Sequence, residues 1–196
     1  MDYWTNILDE KILKTNVEFA AMFILNYECL KDYIVTQVRG FYCDDIKFES
    51  DEIIYSESES YKKEVRGLDN QIENASLKWF MKADAITQED YDTYQLIRKK
   101  RNEITHEFLK NINNGFAEED AELFGKLIGL YRKIDKWWIN EIEIPISGNE
   151  VPEDYDRDGV YGGQALLLSI INDIVFGDEG EKAKYKEILN ALLKEK

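Results

Sequence analysis

The sequence predicts an all-α protein, a single-domain bundle of five to seven helices over residues 1–196. Three observations carry this. The chain has only two prolines, which leaves room for long uninterrupted helices. Apolar residues recur at three- and four-residue steps along most of its length. Residues are 44% hydrophobic and 13% aromatic, enough for a real core, and 196 residues suit one domain. No internal repeat or interdomain linker is visible, and a helical bundle is the architecture that follows.

Residues 2–13 place Trp4, Ile7, Leu8 and Ile12 at helical spacing after Asp2, a capping residue. A more apolar helix is expected over about 15–38. Its Val17, Ala20, Phe23, Ile24, Tyr27, Leu30, Ile34 and Val38 cover more than one face, so it should be central, with Gly40 as its stop. Residues 40–60 turn acidic, with Asp44-Asp45 and Ser56–Ser60. They read as a surface loop with room for a short hairpin around Ile53-Ile54. The stripe Tyr61, Val65, Leu68, Ile72, Ala75, Trp79 predicts one helix ending near 83–86. Thr87-Gln88-Glu89-Asp90 is a helix start signal, and the helix it opens should reach Asn111, closed by Asn113-Asn114-Gly115. The next helix, about 118–142, carries Phe124, Leu127, Tyr131, Ile134 and Trp138 on one side. Of Trp137-Trp138, one ring is expected in the core and one at its boundary. Pro145, Gly148 and Pro152 then break the chain into a loop near 144–161. An apolar helix over 162–176 ends at Gly177, and a thinner one with Tyr185 and Ile188 follows.

The formal net charge of -15 argues against broad electrostatic binding to nucleic acid or anionic lipid. A small basic site is compatible with it, because screening confines charge effects to about 8–10 Å. Cys29 and Cys43 are read as reduced, buried thiols. The first residues have neither a basic nor an apolar leader segment, and the longest apolar run, Phe19–Leu25, falls short of a membrane span. The expectation is a cytoplasmic protein with no membrane partner.

The densest run of positive charge, Arg98–Arg101, lies just before the only histidine, His106. On a helical wheel Tyr94, Ile97, Ile104, Phe108 and Ile112 share the face that should be buried, and Arg101 falls in its middle. An unpaired buried charge costs several kcal/mol, so Arg101 must meet a carboxylate or line a groove. His106 lies about 140° from it, on the flank of the stripe. Asn102, one turn before His106, is placed for its amide to orient the imidazole. Arg98 and Thr105 share Arg101's sector, while Lys99 and Lys100 should point outward into solvent.

Arg101-Asn102-Glu103-Ile104-Thr105-His106 resembles the R-x4-6-H motif of HEPN-domain ribonucleases, in which a polar residue often follows the Arg. The resemblance is specific at three residues. It implies a helical bundle with the motif on a core helix, and a homodimer that brings two motifs together across a cleft. It also implies cleavage of single-stranded RNA with no metal or cofactor. Arg101 would bind phosphate, His106 would move a proton at the ribose 2′-hydroxyl or the leaving oxygen, and Asn102 would orient. Arg98, Lys99, Lys100 and Thr105 would contact RNA. A toxin, stress or defence setting follows, with a protein antitoxin as a partner. Phe108 stands where some members carry a tyrosine that their partner modifies. The chemistry suits the residues: histidine titrates near neutrality, and arginine grips phosphate in bidentate fashion. The alternative is a non-catalytic helical module that binds another protein.

Asp154-Tyr155-Asp156-Arg157-Asp158-Gly159 matches the first half of a calcium loop, with oxygen ligands at alternate positions and then glycine. The twelfth position is Ala165 where a bidentate glutamate belongs, and Pro152 interrupts the helix that should lead in. An acidic turn capping the 162–176 helix, with Gly162-Gly163 allowing tight entry, is the other reading.

Overall fold

In a computed structural model that describes residues 3–49, 52–148 and 150–194, the chain opens with a short helix, α1 (Tyr3–Leu8), and then forms α2 (Glu10–Phe41), the axis of the fold. Asp9 separates them. Its carboxylate accepts the N–H groups of Lys11 and Ile12, so the helix expected from 15 starts five residues earlier. Asp2, the expected cap, lies outside the described residues. At 32 residues α2 is about 48 Å long, and it runs through Gly40, the expected stop, to Phe41. Ala20, Phe23, Leu30, Ile34 and Val38 are wholly buried along it. As expected of a central helix, it touches most of the helices that follow.

Residues Cys43–Glu49 (β1) and Glu52–Glu57 (β2) pair as an antiparallel hairpin with Phe48 opposite Ile53, a two-stranded ribbon beside the bundle. Ser58 caps α3 (Glu59–Glu64), and one 3-10 turn, Arg66–Leu68, leads to α4 (Ile72–Lys82). The single helix expected from 61 is therefore broken. Asp69 takes the Gln71 N–H with its own carboxylate, a local bond that competes with helix continuation. Tyr61, Val65, Ala75 and Trp79 still face the core across the break.

Thr87 and Asp90 form a reciprocal capping box at the start of α5 (Gln88–His106). This helix ends at His106 instead of Asn111, because Glu107 leaves the helical region at φ -113 and ψ 33. A separate α6 (Phe108–Asn114) then turns against α1 and α2. Asn16 donates to the Ile112 carbonyl at 2.7 Å, and Asn6 to that of Asn113 at 2.6 Å. Phe108 is thus exposed instead of buried, while Ile112 is buried. Gly115, at φ 79, closes α6 as expected.

Next comes α7 (Glu118–Trp138), which passes through one wide π turn, Ile139–Glu143, into α8 (Ile144–Ser147). Pro145 does not break the helix here. The wide turn just before it makes room for a ring that would otherwise meet a carbonyl of the preceding turn. Gly148, at φ 67, ends the segment. Trp138 is buried and Trp137 half-buried against Trp79 and Phe80. Helices α9 (Gly163–Phe176) and α10 (Glu179–Lys194) complete the bundle. Among the described residues six helices reach eleven residues; α1, α3 and α6 arise where expected longer helices break, and α8 extends α7 into the expected loop. The thiols of Cys29 and Cys43 are half-buried. Among the described residues no helix is long and apolar enough to cross a membrane.

Candidate functional site

On α5 the side chains of Tyr94, Ile97 and Ile104 are wholly buried, and Arg101 is set at the edge of that row, facing α2. Its guanidinium donates to Glu28 and, at 2.9 Å, to the side-chain oxygen of Asn102. It also lies 5.3 Å from the centre of the Tyr27 ring, within cation–π range. Glu28 accepts from Lys31 as well, at 2.6 Å. Burial pushes the Glu28 carboxyl up, but the bonds from Lys31 and Arg101 outweigh it and hold the group below its usual range. Glu28 is not a core carboxylate; about a third of its side chain is exposed. Arg101 Nε is buried and finds no acceptor among the described residues.

Arg98, one turn earlier, joins the same cluster. It donates to Asn74 at 3.0 Å and to Gln95, and lies 3.8 Å from Glu73. One oxygen of Glu73 accepts both the Tyr27 hydroxyl (2.8 Å) and the Tyr94 hydroxyl (2.6 Å). Burial, and then the Glu73 charge, push both tyrosines well above their ordinary range, so they remain neutral donors. Tyr27, Lys31, Gln71, Glu73, Arg98, Arg101 and Asn102 line an open polar groove of about 450 Å³ between α2, α4 and α5. Three cations and two amides converge there beside the Glu73 carboxylate, and the cations offer donors suited to a phosphate or another anion.

The other predicted residues are dispersed. His106 is the last residue of α5 and exposed, and its side chain makes no hydrogen bond or ion pair among the described residues. No hydrogen bond joins Asn102 to it among the described residues; the Asn102 side-chain oxygen accepts from Arg101. Lys99 is exposed, as expected. Lys100 is not: its ammonium is held by Asp120 (2.8 Å) and Glu103 (3.0 Å) where α5 meets the first turn of α7. Thr105 is exposed, and its hydroxyl donates back to the Arg101 carbonyl at 2.9 Å.

In the acidic loop Asp156 and Asp158 bond to the protein itself. Asp156 accepts the Asp158 N–H at 3.0 Å, and the Asp158 carboxylate pairs with Lys136 at 2.7 Å. Arg132 donates to the Asp158 carbonyl, and Asn140 to that of Arg157. These bonds tie the loop to α7, and Asp154 stays exposed. Among the described residues no three His, Cys, Asp or Glu side chains converge on a metal position. The loop leads into α9, whose cap comes from elsewhere: the buried Asp135 accepts the Gly162 N–H at 3.0 Å.

Sequence reasoning missed Tyr27, Glu28, Lys31, Gln71 and Glu73. Tyr27 and Lys31 stand at i, i+4 on α2, and Glu73 lies in the first turn of α4, but their approach to Arg101 is purely tertiary. Comparisons with protein-family models, with curated proteins and with solved structures find no match.

Proposed function

We propose that the chain is a metal-independent endoribonuclease of HEPN type that holds single-stranded RNA by its phosphates in the Arg98–Arg101 groove. The observation that carries this reading is the convergence of Lys31, Arg98 and Arg101 on one open groove in a chain of net charge -15. Asn102 and Tyr27 fix the Arg101 guanidinium in advance, which lowers the ordering cost of gripping a phosphate. In the proposed step the ribose 2′-oxygen attacks the adjacent phosphorus. The 2′-O–P bond forms, the P–O5′ bond breaks, and the 2′-hydroxyl proton ends on the departing 5′-oxygen. Arg101 would stabilise the charge on phosphate, and His106 would carry the proton.

Arg101 faces α2, while His106 is exposed about 140° around the same helix, so one copy does not present both to one phosphate. A second copy would bring its His106 to this groove, which is why the reading includes a homodimer. The test is cleavage of single-stranded RNA in EDTA by purified protein. Wild type should cleave and His106→Ala should not. Cleavage that survives the substitution, or that needs a metal, counts against the reading.

A second reading, a non-catalytic interaction module, is favoured by one observation: α9 is apolar on nearly every side but buries only one.

A further inference from the structure

The two arginines of the groove fix how the amides around them are turned. A guanidinium has N–H donors and no acceptor, so an amide that meets it must offer its oxygen. Arg101 takes the Asn102 oxygen at 2.9 Å. Arg98 takes that of Asn74 at 3.0 Å, that of Gln71 at 3.4 Å and that of Gln95. With its oxygen committed, each amide turns its NH2 group away from the cation. For Asn74 and Gln95 that group stays inside the network: Asn74 donates to Gln71 at 3.2 Å, and Gln95 to Asn74 at 3.3 Å. The NH2 groups of Gln71 and Asn102 meet no acceptor among the described residues, and both residues are exposed in the lining of the groove.

Two like units result, Arg98 with Gln71 and Arg101 with Asn102, their arginines one turn apart on α5. In each, a cation that can grip a phosphate stands beside an amide with only its NH2 to offer. Acceptors are scarce around them. Glu73, the carboxylate of the lining, is 18% exposed, and one of its oxygens takes the Tyr27 and Tyr94 hydroxyls. Glu28, nearby, is held by Arg101 and Lys31. A free Asn or Gln reads adenine through its oxygen and its NH2 together. Here the oxygens are committed, so that pairing is closed, and what remains is a donor that needs an acceptor opposite. Uracil and guanine carry a carbonyl oxygen where cytosine and adenine carry an NH2 group.

We infer that Gln71 and Asn102 determine base specificity in this groove, selecting RNA whose bases present a carbonyl, uracil and guanine, over cytosine and adenine. The inference rests on the ribonuclease reading and names which RNA the site takes.

The test is fluorescence anisotropy of the full chain with 2′-O-methyl oligo(U) and oligo(C) of equal length, which lack the attacking hydroxyl and stay uncut. Wild type should bind oligo(U) about fivefold more tightly or better, the worth of one or two hydrogen bonds. Gln71→Glu and Asn102→Asp each keep an oxygen for the arginine and replace the outward NH2 by a second oxygen, an acceptor. The added negative charge should weaken both probes, but the preference for oligo(U) should shrink in each variant and vanish or reverse when the two are combined. Melting temperatures check folding, which these near-isosteric changes at exposed positions should spare. Equal binding of the two probes by wild type overturns the inference and leaves the ribonuclease reading standing. A preference that persists undiminished in the double variant overturns it too, since it would then come from strand stacking and flexibility. Binding of neither probe overturns the ribonuclease reading and this inference with it.

Discussion

Arg101 of α5 donates to Glu28 of α2, so a charge set inside an apolar stripe is held at the edge of the core by the central helix. Both side chains remain a quarter to a third exposed, so the pair orders the groove more than it stabilises the fold.

Glu28→Gln should therefore cost only about 0.5–1 kcal/mol at neutral pH. The Glu28 carboxyl is held below its usual range in the folded chain. Its contribution is present above the unfolded value of about 4.3 and is lost as pH falls through the folded value. Urea unfolding of wild type and variant should thus differ at pH 7 and converge in acid. A gap that stays constant with pH would contradict the pairing.

Arg98→Ala and Arg101→Ala should each weaken single-stranded RNA binding and reduce the salt dependence by about one phosphate contact. Lys100→Ala should leave the salt slope unchanged, because its ammonium lies where α5 meets α7, outside the groove that Arg98 and Arg101 line. Fluorescence anisotropy against salt concentration checks this, and a slope that falls for Lys100→Ala but not for Arg101→Ala would place the site elsewhere.

Gly162→Ala and Gly163→Ala separate a close approach from a permissive position. A Cβ on Gly162 would lie 2.4 Å from the buried Asp135 Oδ1, whereas one on Gly163 would meet nothing within 4 Å. The first should destabilise by about 2 kcal/mol or more, and the second should be neutral or stabilise by about 0.5 kcal/mol. Thermal unfolding of the pair decides it, with equal shifts as the contrary result.

Much of this was legible in the sequence, and the failures have local causes. The central α2, the Thr87 cap, the Gly115 stop and the α7 stripe all follow from periodicity and capping chemistry. Asp9, Asp69 and Glu107 each interrupt a stripe whose apolar spacing continues past them, so periodicity alone runs straight through the break. The wheel placed Arg101 correctly as anomalous, but it could not supply Glu28, Glu73 or Tyr27 from two other helices. It also could not show that Lys100 turns toward Asp120, since that depends on where α7 begins.

The tyrosines sharing Glu73 make a prediction at the alkaline end. The folded-state values of Tyr27 and Tyr94 lie above the ordinary one, so their contribution is complete below about pH 10 and is lost as pH rises through the folded values. Absorbance titration should show a subset of the twelve tyrosines ionising only as the protein unfolds, with the urea midpoint falling above pH 10. Twelve tyrosines ionising together in a chain that keeps its native circular dichroism would contradict the network.

The most direct test of the account mixes two inactive variants. Arg101→Ala and His106→Ala are refolded together in equal amounts and assayed on single-stranded RNA in EDTA. A site built from the Arg101 of one copy and the His106 of the other leaves one intact site in each mixed dimer, so activity should return to about one quarter of wild type. A mixture as inactive as either variant alone, beside an active wild type, would contradict a two-copy site.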